Sequence, residues 1–155
     1  MSIFIGLNQK VISNSSNELS KLLASTYTIY LQTQNYHWNV VDKNFYMLHS
    51  FFEDQYKQLT EALDEIAERL RMLGKYAPAK FSEFLKLATI SENEKPKDSK
   101  NMIMVLLKNH ETIIAEIRNS LEILEDSKDV GTIDLFIERL RAHEKMSWML
   151  RSHLT

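Results

Sequence analysis

His37, His49, Glu53, Asp64 and Glu68 are the residues whose types and spacing could do chemistry. Imidazole together with several carboxylates is a suitable ligand set for Fe(II). The chain has no Cys, so any metal must be held by His, Asp or Glu. His49 and Glu53 are spaced i, i+4, and so are Asp64 and Glu68. Taking about 100° per residue, positions 49, 53, 64 and 68 fall at about 0°, 40°, 60° and 100° around one helix axis, a single stripe. His49 and Asp64 are nevertheless 15 residues apart. That is roughly 22 Å along the axis, too far to share an ion within one intact helix. The Glu-x-x-His pair of an ordinary intrachain di-iron centre is absent from the sequence. Either there is no metal site, or two chains build it. An antiparallel pair of these helices about a two-fold axis would bring His49 and Glu53 of one copy to Asp64 and Glu68 of the other, giving two equivalent sites. The bland alternative is a solvated face: a helical His is most often a satisfied polar residue, and the stretch DEIAER has Arg69 and Arg71 nearby.

The elements that must position these residues are long helices. Ser13 to Asn17 is a cluster of cap-forming residues, with Ser15 and Glu18 at capping-box spacing and Ser16 or Asn17 as equal alternatives. Apolar and aromatic positions from Leu19 to Leu31 then keep a helical period, and this first helix is expected to reach about Val40. His37 stands near its end. The turn Asp42-Lys43-Asn44 opens a second helix, with Asn44 as cap and Gly74 at the C′ position. Residues 75–98 form a long connection bounded by Pro78 and Pro96, with a short helix expected around Phe81 to Leu87 and a solvated loop from Glu92 to Lys100. A connection of this length suits a crossover along a bundle rather than a hairpin. A third long helix is expected from Asp98 or Ser99 to near Ser127, and a fourth from Gly131-Thr132 to near Ser152. The fold class is therefore all-α, a ferritin-like four-helix bundle with a short extra helix in the crossover between helices 2 and 3. Residues 1–14 read as a short N-terminal extension and 15–155 as one domain.

Composition narrows the class further. With 155 residues, 44% hydrophobic and 26% charged, the chain is sized for one soluble globular core. Three Gly and two Pro leave little turn chemistry for a many-stranded fold. A formal net charge of −2 exerts no global pull on nucleic acid or anionic lipid. No apolar run approaches a membrane span, and MSIFIGLNQK has neither a cationic segment nor a small-residue cleavage site, so a secretory signal is not expected. The absence of Cys suits a reducing cytoplasm.

The segments NYHWNV (Asn35 to Val40), LHSFFEDQY (Leu48 to Tyr56), DEIAERLRMLG (Asp64 to Gly74) and TIDLFIERLRAHEKMSWML (Thr132 to Leu150) strongly resemble the Dps family, the DNA-binding proteins from starved cells. The resemblance covers nearly the whole chain from about residue 15. It implies a hollow shell of twelve subunits with a ferroxidase site at the two-fold interface. His37 and His49 match the family's histidine ligands, and Asp64 and Glu68 match the carboxylates of the neighbouring subunit. Glu53 stands where the family often has Asp; its extra methylene leaves open direct binding or binding through water. The implied reaction oxidises Fe(II), preferably with hydrogen peroxide, and stores Fe(III) mineral inside the shell. Two roles stay open for Trp38, an electron donor beside the ligand or an aromatic packed at the interface. Acidic pores would draw in cations, with Asp126, Asp129 and Asp134 in the matching stretch and capping as the other reading of Asp129. His110, His143 and His153 match no metal position and read as surface residues.

The family name also carries a competing function, nucleoid compaction. That activity needs cations to neutralise phosphate, commonly on a flexible tail. Here residues 1–16 hold only Lys10, and only Arg151 follows Leu150. Twelve copies at −2 carry about −24, so direct DNA binding is expected to be weak or absent. Lys95, Lys97 and Lys100 could still form a local patch. A purely structural bundle is the third alternative; against it, the five matched positions are polar residues that a core does not require.

Overall fold

The computed structural model describes residues 4–92 and 95–154. Residues 1–3 of the expected extension, 93–94 of the expected solvated loop and Thr155 lie outside the described residues. Five helices account for the fold: α1 (Gln9–Asn39), α2 (Phe45–Met72), α3 (Phe81–Leu87), α4 (Ser99–Leu124) and α5 (Val130–Ser152). No strand occurs among the described residues.

α1, α4 and α5 begin where the N-cap side chain takes up an orphan N–H. Asn8 Oδ1 accepts from Val11 N–H at 3.0 Å, and Asp98 Oδ1 accepts from Asn101 N–H at 2.8 Å. Asp129 caps α5 by accepting from Thr132 N–H. Asn44 starts α2 without a side-chain cap; instead its own N–H donates to Asp42 Oδ1 at 2.8 Å. Asp42 also accepts from Ser99 Oγ at 2.5 Å, tying the α1–α2 turn to the start of α4. Gly74 adopts φ +78° directly after α2, the left-handed conformation that a C′ position calls for.

The start of α1 differs from the sequence expectation. The helix begins at Gln9, ahead of the serine cluster that reads as a cap. Ser16 of that cluster is instead bonded within the helix: its Oγ donates to the Ile12 carbonyl at 2.7 Å, as Ser20 Oγ one turn later donates to the Ser16 carbonyl at 2.7 Å. Burial of Ile12 gives the additional turn its apolar anchor.

α1 packs on α2 and α4, and α5 packs on α4 and, more lightly, on α2. Their facing stripes form one core, including Leu22, Ile29, Phe52, Ile66, Ile113 and Phe136, all fully buried. α3 lies across α1, with Phe84 stacked on Tyr27 at a centroid distance of 4.7 Å. The crossover is pinned just beyond α3: Thr89 N–H donates to Ser25 Oγ at 3.1 Å, and Thr89 Oγ1 donates to Glu116 Oε2.

Candidate metal centre

The last turn of α1 and the first turns of α2 bring His37 and His49 together. Their rings stack with centroids 3.8 Å apart. Each ring is held by the other residue's backbone: His37 Nδ1–H donates to the His49 carbonyl, and His49 Nδ1–H to the His37 carbonyl, both at 2.8 Å. A carbonyl can only accept, so both Nδ1 atoms must carry hydrogen. In the neutral rings the lone pair is then on Nε2, the tautomer a metal ligand needs, and the carbonyl bond fixes the ring's orientation. Phe45 stacks on His49 and Tyr56 packs edge-on to His37, which is only 8% exposed. Two preset imidazole donors thus sit at one end of α2.

Glu53 lies one turn further on. Its carboxylate pairs with Lys57 Nζ at 2.6 Å, and that bond, followed by the lysine's charge and the two imidazoles, holds its pKa below the usual glutamate value. Asp64 and Glu68 are exposed nearer the other end of α2. Asp64 lines an open groove of about 620 Å³ with Tyr27, Tyr30, Ala67, Pro78 and Phe84, between α1, α2 and the start of the crossover. Within one subunit, no three of the described His, Asp or Glu residues form a cluster that could hold a metal ion. Within the subunit the imidazole pair and Glu53 thus stand apart from Asp64, which lines the apolar groove, and from Glu68, which lies beside Gly131 and Asp134 at the start of α5.

Trp38, next to His37, is 63% exposed. Of the acidic residues assigned to a pore, Asp126 and Asp134 are exposed, whereas Asp129 is 2% exposed and turned into the subunit. It forms the α5 cap and pairs with Arg69 Nη2 at 2.5 Å. Burial would raise its pKa, but Ser15, Thr132 and Arg69 outweigh burial and lower it. Its carboxylate is committed to capping, the second of its two sequence readings.

The surface assignment of two histidines is corrected. His110 and His143 are fully buried between α4 and α5 and bonded Nδ1 to Nδ1 at 2.8 Å. His110 follows Leu106 by four residues and precedes Ile113 by three, so the core period already contained the signal. His153 is exposed, with its ring against Phe51. A second polar feature escaped the sequence reading. Glu116 is buried and accepts from Ser25 Oγ, while Glu18 is buried and accepts from Ser120 Oγ.

A match to the ferritin-like domain family spans residues 16–155. The DNA protection during starvation protein 2 of Bacillus anthracis is 31% identical over 148 residues, 96% of this chain and 99% of that protein. A low temperature-induced protein of Nostoc is 37% identical over 98% of this chain and 86% of its own length. The crystal structure of a Dps protein from Vibrio cholerae O1, a member of a broad superfamily of ferritin-like diiron-carboxylate proteins, superposes with a TM-score of 0.93 at 33% identity, covering 99% of this chain and 97% of that one. The chain belongs to the ferritin-like proteins and, among them, to the Dps family. Iron storage and protection is the general role that this membership supports.

Proposed function

We propose that this protein is a ferroxidase that detoxifies and stores iron, with each site built by two subunits. The reciprocal bonding of His37 and His49 carries the reading, because it leaves two Nε2 lone pairs aimed away from the backbone. The groove lined by Asp64 supports the second half: it is an apolar surface beside that carboxylate, suited to burial against a two-fold mate. In the assembled pair, His37, His49 and Glu53 of one subunit face Asp64 and Glu68 of the other. Fe(II) is the substrate. Imidazole nitrogens accept it, and hard carboxylate oxygens favour the ferric product. Two Fe(II) held together give one electron each to hydrogen peroxide. The O–O bond breaks, two protons are taken up and two waters leave, so no one-electron radical is released.

The remaining parts of the reading follow from assembly. A homo-oligomeric shell, taken as a dodecamer, stores the Fe(III) mineral in the cytoplasm. Asp126 and Asp134 are the residues left to attract cations at a pore. Trp38, exposed beside His37, either donates an electron or is covered by the mate. No helix among the described residues is long and apolar enough to cross a membrane. The test is anaerobic addition of peroxide to Fe(II)-loaded protein, comparing the parent with His37→Ala/Asp64→Ala. The parent is expected to oxidise iron rapidly and keep it soluble, while the double variant assembles but oxidises at the background rate. Equal, slow oxidation in both would overturn the reading.

A further inference from the structure

Lys57 shares the stripe that carries the metal-site residues. At about 100° per residue it lies at about 80°, between Asp64 and Glu68 in angle. Its ammonium is 2.6 Å from Glu53 Oε1. On an isolated surface such an i, i+4 pair contributes little. Its place on α2 changes its weight. If residues 49 and 53 of one copy face 68 and 64 of the other, the two-fold axis crosses α2 at about residues 58–59, close to Lys57. Glu53 of one copy and Asp64 and Glu68 of the other would then gather three carboxylates at each of the two sites, against the mate's surface. The other cation on the stripe, Arg71, lies beyond Glu68; its guanidinium rests 4.4 Å from the Tyr76 ring centre and donates to the Lys75 carbonyl. Arg69 is held by Asp129.

We propose that Lys57 is the resident counter-ion of the metal-free interface, neutralising Glu53 until a divalent cation displaces it. This rests on the two-subunit site proposed above. Two consequences follow from one charge. The metal must compete with an internal ammonium for Glu53, so binding on that side is weaker than the ligand set alone would give. The same ammonium offsets carboxylate repulsion, so the metal-free pair of subunits holds together better with it than without it. Metal and lysine are thus alternative occupants of the same carboxylate. Glutamate, with one methylene more than Asp, has the reach to serve either.

The test uses Co(II), which titrates the site without being oxidised by air in the assay. Assembled parent, Lys57→Gln, Glu53→Gln and the double variant are stripped of metal and titrated by calorimetry at low ionic strength. Their assembly is followed by sedimentation with and without Co(II). Lys57→Gln is expected to bind Co(II) roughly tenfold more tightly than the parent, on the scale of a charge pair in partly dry surroundings. It should dissociate at lower denaturant when metal-free and recover with Co(II). In the Glu53→Gln background the affinity gain should vanish, because the cycle isolates the 53–57 coupling. Parent-like affinity and assembly in Lys57→Gln, or an unchanged gain without Glu53, would overturn the proposal while leaving the two-subunit site intact. Absence of Co(II) binding by the parent would instead remove the site itself, and this proposal with it.

Discussion

At the scale of single residues, hydrogen-bond direction decides what each histidine can do. The five histidines fall into three environments that composition does not separate. His37 and His49 donate to carbonyls and keep Nε2 available. His110 and His143 bond to each other, one Nδ1 donating and the other accepting, in a dry core. His153 stays at the surface. Burial, and then the charge of Arg139, depress the His143 pKa from 6.5 to about 3; burial, and then His143, push His110 in the same direction. The sign follows from the unfolded chain, which takes up a proton below about pH 6.5 while the folded His143 does not. Stability is therefore lost as pH falls from about 6.5 towards 3. By pH 5 the loss from His143 is on the order of 2 kcal/mol. Urea denaturation at pH 7 and pH 5 should show it, and His143→Gln, which does not titrate, should show a smaller drop. Equal acid sensitivity in both would place the loss elsewhere.

At the scale of elements, the crossover is what makes this a ferritin-like bundle, and it is held by a buried carboxyl. Glu116 on α4 accepts from Ser25 of α1 and from Thr89 of the crossover, so one side chain joins three segments. Burial raises its pKa, partly offset by those two hydroxyl bonds, and the nearby Glu18 raises it further. A carboxyl with a raised folded pKa contributes stability below the unfolded value of 4.5 that is lost as pH rises through the folded pKa. Glu116→Gln keeps the acceptor and cannot ionise. It is expected to melt roughly 2–4 °C higher than the parent at pH 8, with the gap closing near pH 4. A lower melting temperature at pH 8 would show that the ionised form is the one the network needs.

At the scale of the whole molecule, charge and order at the N-terminus bear on the competing DNA function. Residues from Gln9 onwards are helical, so Lys10 is part of α1 and not of a loose tail. Lys95, Lys97 and Lys100 are exposed around the start of α4, where they could form a local basic patch. Against a net charge of −2 per chain, three lysines per subunit neutralise few phosphates. The purified assembly is expected not to retard duplex DNA at neutral pH and 50 mM salt. Stoichiometric retardation, abolished by Lys97→Glu/Lys100→Glu, would make DNA binding a function of this patch.

Local pattern determined much of this protein. The 3.6-residue period, Asp98, Gly74 and the long interval between Pro78 and Pro96 define the helices and the crossover, because capping and periodicity act within a few residues. The same period places positions 49, 53, 64 and 68 on one stripe and, with a fixed rise per residue, already requires a second chain for any shared ion. The start of α1 is not legible locally, since a serine run reads as a cap whether or not its hydroxyls can bond to carbonyls one turn back. What only the tertiary structure decided are the contacts between residues far apart in the chain. The exchange of Nδ1 bonds between His37 and His49, the burial of His110 against His143, the commitment of Asp129 to Arg69 and the three-way grip of Glu116 all depend on where separate helices meet. Spacing along one helix sets which residues share a face. The packing of that face against its neighbours sets which atoms are left free to act.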